Sequence, residues 1–331
     1  MTDLVIKLSA WAACVLCATF STRGVYYFSA LFFLIVFTLQ SNNTDTYFYA
    51  QEFYREVYLS ERGFNYLQYF IQDIIDSREI GFELLKLAAV MILITVLFRD
   101  WHRFSLLLAS QFTFLATFNN LRQGLAAVLL ICAVHSLKNR NRPINLCIAT
   151  ALLYISIQFH LSAALAGSVL VSIFVLLGLT NSPSQVLFTA ITGIAVATIF
   201  VFGFVDIPGD YANYMLATSQ DISSGRTDLI IKWLVISIYF AVTTDIKILG
   251  DLGLSEQISF VARACFFVIG LVTAFLFGFP ELSSRVGFYF LAFDAYYFSY
   301  LLSTRGSSWR YTMPYIGSNI ASPSILSILL K

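Results

Sequence analysis

The chain reads as an all-α, polytopic membrane helix bundle of about 11–12 transmembrane helices with an extracytoplasmic helical insertion near one end. Three observations predict this. Of its 331 residues, 58% are hydrophobic and 12% charged, against about 25% charged in a soluble domain, so most of the surface has to face lipid. Apolar runs approaching the hydrocarbon thickness recur along the chain. Short polar stretches bearing Arg and Lys separate them in the alternation that membrane topology demands.

A crossing needs about 20 mainly apolar residues. Helices are expected near 4–20, 24–39, 82–98, 104–118, 121–137, 144–159, 161–179, 186–204, 229–246, 258–278 and 286–303. A last segment, 311–330, is interrupted by Pro314 and Pro323 and is compatible with crossing, re-entry or an interfacial position. Residues 1–331 therefore read as a single membrane domain. The first apolar run, 4–20, lacks a basic start and a small-residue cleavage site, so it reads as a retained helix. All five cysteines, Cys14, Cys17, Cys132, Cys147 and Cys265, sit inside apolar runs, where a thiol behaves as a small hydrophobe, and neither a disulfide nor a metal site is expected.

Basic residues set the orientation. Arg99 and Arg103 flank one loop and Lys138, Arg140 and Arg142 crowd another, two helices apart, so both should face the cytoplasm together with Arg23, Lys247, Arg305 and Arg310. On that topology the polar segment 40–80, rich in Tyr, Phe and acids, is a periplasmic amphipathic insertion. Its stretches 47–59 and 64–75 space apolar residues three and four apart, as short helices lying over the membrane face would. A second periplasmic loop, 205–228, holds Asp206, Asp210, Asp221, Arg226 and Asp228. A formal net charge of +1 offers no broad basic surface, so nucleic acid is not an expected partner. There is no Gly-rich nucleotide loop, no zinc-ligand spacing and no serine nucleophile elbow.

Candidate functional residues gather at the outer side. Arg122 lies in Asn119-Asn120-Leu121-Arg122-Gln123-Gly124 at the start of a helix, where backbone N–H groups and the helix dipole favour anions. It suits phosphate, or equally snorkels to lipid headgroups. His160, in Phe159-His160-Leu161-Ser162-Ala163-Ala164, stands at the junction of two helices whose small residues permit close contact, and fits either a site role or an interhelical hydrogen bond. Glu79 and Glu83 flank Gly81 at another helix entry, and Asp45 and Tyr49 open the insertion. These carboxylates fit a general base or a helix N-terminal charge. Arg285, ahead of Tyr289, echoes the placement of Arg122, and two outward arginines suggest a diphosphate. Arg226 with Asp228 fits a plain loop ion pair. Asp245, Arg263 and Asp294 lie deeper in spans, where internal pairing is the default.

Asp45 with Tyr49, Glu79-Ile80-Gly81-Phe82, Arg122-Gln123-Gly124-Leu125-Ala126, His160 with Ser162-Ala163, and Arg285 with Tyr289 together make a pattern that resembles the EpsG-like family of Wzy polysaccharide polymerases. Ile80 stands where many of that family are expected to carry proline. The resemblance implies a GT-C type glycosyltransferase of the bacterial inner membrane with its active site facing the periplasm. It would join undecaprenyl-diphosphate-linked glycans into O-antigen, capsule or exopolysaccharide, need no metal or other cofactor, and meet a Wzz-type chain-length regulator as a possible partner. Glu79, Asp45 and His160 are then competing candidates for the catalytic base. Arg122, Gln123, Arg285, Tyr289, Ser162, Tyr49 and Arg226 are candidates for holding substrate. A lipid-linked oligosaccharide flippase, an O-antigen ligase and a structural export subunit are the rival readings, the first disfavoured because the charges gather at one face instead of lining a central cavity.

Overall fold

A computed structural model describes residues 62–75, 80, 81, 84, 121–139, 142–180, 182–204, 222–277, 280–305 and 314. The expected helices at 4–20, 24–39 and 104–118, the stretch 47–59, and nearly all of 82–98 and 311–330 lie outside the described residues. Those described form helices and short connections, with no strand among them. They fall into two compact units, Met1–Gly167 with Phe298–Lys331, and Ser168–Tyr297.

The first unit contains α1 (Arg62–Ile74), α2 (Leu121–Ser136) and α3 (Pro143–Phe159), with the opening turns of α4 (Ser162–Leu179). Nearly every side chain from 123 to 134 is buried, so α2 is an interior helix, apolar on all sides because all sides are covered. A 3-10 turn, Leu137–Asn139, ends it. Pro143 then opens α3, with its missing N–H at a position that needs none, while Arg142 before it is held extended at φ −101° and ψ 114° by the proline ring. Only Ala149 and Ser156 are buried on α3, two turns apart, whereas Ile144, Leu146, Ile148, Tyr154 and Ile155 are exposed. Such an apolar outer face is stable in lipid and costly in water. α1 covers most of the expected stretch 64–75, with Gln68 and Ile71 buried while Tyr66, Phe70 and Ile74 face outward.

The second unit holds the rest of α4, then α5 (Pro183–Phe204), α6 (Ile222–Thr243), a 3-10 turn (Ile246–Asp251), α7 (Leu254–Val272) running into a π-helical turn (Thr273–Phe277), and most of α8 (Pro280–Arg305). Ser162–Leu179, Pro183–Phe200 and Leu254–Leu276 are long and apolar enough to cross a membrane, and Arg122–Ser136, Pro143–Phe159 and Ile230–Thr243 are shorter apolar helices. Several boundaries differ from expectation. α6 starts at Ile222, not 229, and α8 at Pro280, not 286, because a helix continues past the lipid-crossing stretch that hydropathy detects, and Pro280 is suited to a first helical position. α6 also stops at Thr243, short of 246. Asp245 is therefore not a deep intramembrane charge: its carboxylate caps the 3-10 turn by accepting from the Lys247 N–H at 3.1 Å.

The core of this unit is organised by one buried ion pair. Arg263 of α7 donates from Nε to Asp294 of α8, and neither side chain has any exposed surface. The Tyr239 hydroxyl of α6 donates to the other carboxylate oxygen at 2.8 Å. The remaining guanidinium nitrogens donate to Thr243 and, at 3.3 Å, to Thr244. The guanidinium carbon stands 4.8 Å from the centre of the Phe240 ring, with Tyr239 and Tyr297 each at 5.7 Å. Nearby, fully buried Trp233 of α6 lies so tightly on Gly270 of α7 that a Cβ there would sit 1.8 Å from the indole, which only glycine avoids.

Breaking a buried pair on one side leaves an uncompensated charge and costs about 3–5 kcal/mol. Asp294→Ala and Arg263→Ala should each lose stability of that order in detergent thermal unfolding, and Arg263→Met with Asp294→Leu should regain most of it. Single variants as stable as the wild type would contradict this role.

Candidate functional site

The α2 and α3 helices, packed together and joined by six residues, 137–142, form an antiparallel hairpin. Their 16 and 17 residues give nearly equal lengths, about 24 and 26 Å at 1.5 Å per residue. The start of α2 and the end of α3 therefore lie at the same end of the hairpin. That places Arg122 and Gln123 at one end with His160 and Ser162. Arg122 is half-buried, Gln123 is buried, and His160 is only 8% exposed.

Helix α1 joins them there. A Cβ on Gly63 of α1 would meet the backbone carbonyl of Gln158 at 3.0 Å, so α1 crosses the last turn of α3 at close range, two residues before His160. Glycine permits that approach.

His160 is built into the chain break. Its backbone is extended, φ −157° and ψ 125°, which ends α3, and its N–H still donates to the Ser156 carbonyl at 3.1 Å. Its own carbonyl accepts from the Ala163 N–H at 2.9 Å, the first hydrogen bond of α4. The imidazole completes the cap: Nδ1 accepts from the Ser162 backbone N–H at 3.2 Å and stands 2.6 Å from the Ser162 hydroxyl. An imidazole here does what a Ser or Asp side chain does at an ordinary N-cap. The starts of α2 and α4 thus share an end with a guanidinium and an imidazole, a concentration of positive partial charge suited to an anion.

In the second unit, Arg285 and Tyr289 lie four residues apart on α8 and share a face. Arg285 is half-buried, and Tyr289 is buried with its ring 5.7 Å from that of Phe266. Arg226 is not in a loop, as 205–228 was expected to be. It falls in the opening turns of α6, because 222–228 contains no proline and its polar residues extend the helix beyond the apolar stretch. Asp45, Tyr49 and Glu79 lie outside the described residues. Among the described residues no group of three or more His, Cys, Asp or Glu could hold a metal ion.

Sequence reading missed the imidazole cap, although a histidine two positions before a serine at a helix break is its visible trace. It also left Tyr239 and Thr243 unassigned, since single hydroxyls in an apolar helix do not announce the charge they serve.

The docking of α1 can be tested at Gly63. Gly63→Val should push α1 from α3 and raise hydrogen exchange in 62–74, with exchange in α2 unchanged; unaltered exchange in α1 would show that the close approach does not hold it.

A model of the EpsG family matches residues 25–317, a span that takes in the α2–α3 hairpin with Arg122 and His160 as well as α8 with Arg285. Comparison with curated proteins and with solved structures finds no match. Matched over most of its length, and built of apolar helices, the chain belongs to the EpsG family of membrane proteins of polysaccharide biosynthesis.

Proposed function

We propose that the protein is a metal-independent GT-C type glycosyltransferase that polymerises undecaprenyl-diphosphate-linked repeat units at the periplasmic face of the bacterial inner membrane. One observation carries the reading: in a member of this family, Arg122, His160 and two helix N-termini share one end of an apolar hairpin. That is the equipment a departing diphosphate requires.

In the reaction, a hydroxyl of the incoming lipid-linked unit attacks the anomeric carbon of the growing chain. The new C–O bond forms as the bond from that carbon to the diphosphate oxygen breaks, and the bonding electrons leave with undecaprenyl diphosphate. Negative charge therefore grows on the diphosphate, and a cation already in place lowers the barrier without having to reorganise. The planar fork of Arg122 matches two phosphate oxygens at once. Gln123, buried beside it, is assigned to the substrate with it. The hydroxyl proton passes to a base, for which Asp45, Glu79 and His160 are the candidates. Arg285 with Tyr289, on the other unit, and Tyr49 and Arg226 are further substrate-binding candidates to be tested singly, and a chain-length regulator is a proposed partner.

Arg122→Ala and His160→Ala should insert and express normally yet yield only single-unit glycans instead of a ladder, with Arg122→Ala losing about 100-fold or more, the usual cost of removing a preorganised donor. A normal ladder in either variant removes that residue from the site. Arg122→Lys keeps the charge but loses the fork, so it should stay well below wild type. Full activity in that variant would mean that charge alone suffices.

A further inference from the structure

The contacts of one ring nitrogen settle which way the imidazole can act. A backbone N–H only donates, so the Ser162 N–H pointing at Nδ1 from 3.2 Å requires a lone pair there. With Nδ1 an acceptor, the Ser162 hydroxyl at 2.6 Å donates to it as well, and the ring proton resides on Nε2. A doubly protonated ring would set N–H against N–H at Nδ1, would place a cation at the N-terminus of α4, and would have to do so at a side chain 8% exposed. Each of these costs free energy in the same direction.

We infer that Ser162 holds His160 as the neutral Nε2–H tautomer, so that in the proposed glycosyl transfer His160 donates a hydrogen bond to a diphosphate oxygen and does not take the proton of the acceptor hydroxyl. The inference rests on the polymerase reading for the identity of the oxygen, and on the cap geometry for the tautomer. His160 has no lone pair left for a proton: Nδ1 is committed to the cap and Nε2 is already protonated. The base must then be another group, and Asp45 and Glu79 remain. A neutral donor is also better matched than an imidazolium to a site where Arg122 already supplies charge, because it stabilises the leaving group without repelling the guanidinium. Ser162 is a positioning residue in this scheme and touches substrate only through the ring it orients.

The tautomer can be read without any activity. The chain has three histidines, His102, His135 and His160, so the full-length protein carrying His102→Gln and His135→Gln, labelled with 15N-histidine in nanodiscs, reports a single ring by long-range 1H–15N correlation. The wild-type spectrum compared with that of His160→Gln gives the same assignment if the double variant does not fold. Near neutral pH the expected spectrum has an unprotonated Nδ1 and a protonated Nε2, and Ser162→Ala should shift the ring toward a mixture of tautomers while Ser162→Thr restores it. A protonated Nδ1, alone or in an imidazolium, overturns the inference. In the polymerisation assay, His160→Gln, which keeps an N–H donor but cannot act as a base, should retain about a tenth of the wild-type kcat, whereas His160→Ala should fall about 100-fold. Equal loss in both variants overturns the donor role. If the wild type proves not to polymerise while the Nε2–H tautomer is observed, the polymerase reading fails and the cap stands.

Discussion

A guanidinium and a carboxylate with no exposed surface cannot rely on solvent, and the second unit is arranged around satisfying them. The polar groups at Arg263 and Asp294 are drawn from three helices: the charges from α7 and α8, the hydroxyls of Tyr239 and Thr243 from α6. Helices in lipid gain little from hiding apolar surface in one another, so hydrogen bonds and close packing have to choose their partners. Here the two devices lie side by side. The ion pair selects which faces of α6, α7 and α8 meet, and the seating of Trp233 on Gly270 lets α6 and α7 approach closely.

The first unit solves a different problem, which is to present polar groups at the end of an apolar hairpin without leaving them loose. α2 is buried along nearly its whole length, so Arg122 stands on a helix that can neither tilt nor roll freely. His160 is held through its backbone by Ser156 and Ala163 and through its ring by Ser162. A side chain held this way has already lost its conformational entropy on folding. Helix α1 closes on the same end, with Tyr66 and Phe70 outward.

What could be read in advance follows from what hydropathy measures. α2, α3 and α4 were placed within about two residues at each end because apolar stretch and helix coincide there, bounded by Pro143 and by the break at His160. α6 and α8 were entered late because polar turns such as Ile222 to Asp228 are helical without being apolar. That Arg263 and Asp294 would be paired inside the protein was anticipated from cost alone, since neither charge could remain single in lipid, but that they pair with each other came from the structure. The fate of Asp245 was not, because a carboxylate at a helix end looks in sequence like one just inside it. The site residues were picked by type and position, and structure added what sequence cannot carry: that Nδ1 of His160 is engaged by Ser162, and that α1 crosses Gln158.

The proposed function rests on one chemical event, transfer of a glycan from a lipid diphosphate to a second lipid-linked glycan. The direct measurement is to incubate the purified protein with a single defined undecaprenyl-diphosphate-linked repeat unit, in the presence of a metal chelator, and to resolve the products by length. The account predicts a ladder of polymers with release of undecaprenyl diphosphate, one for each linkage formed. Recovery of the unit unchanged, or a ladder that appears only when divalent metal is restored, would contradict it.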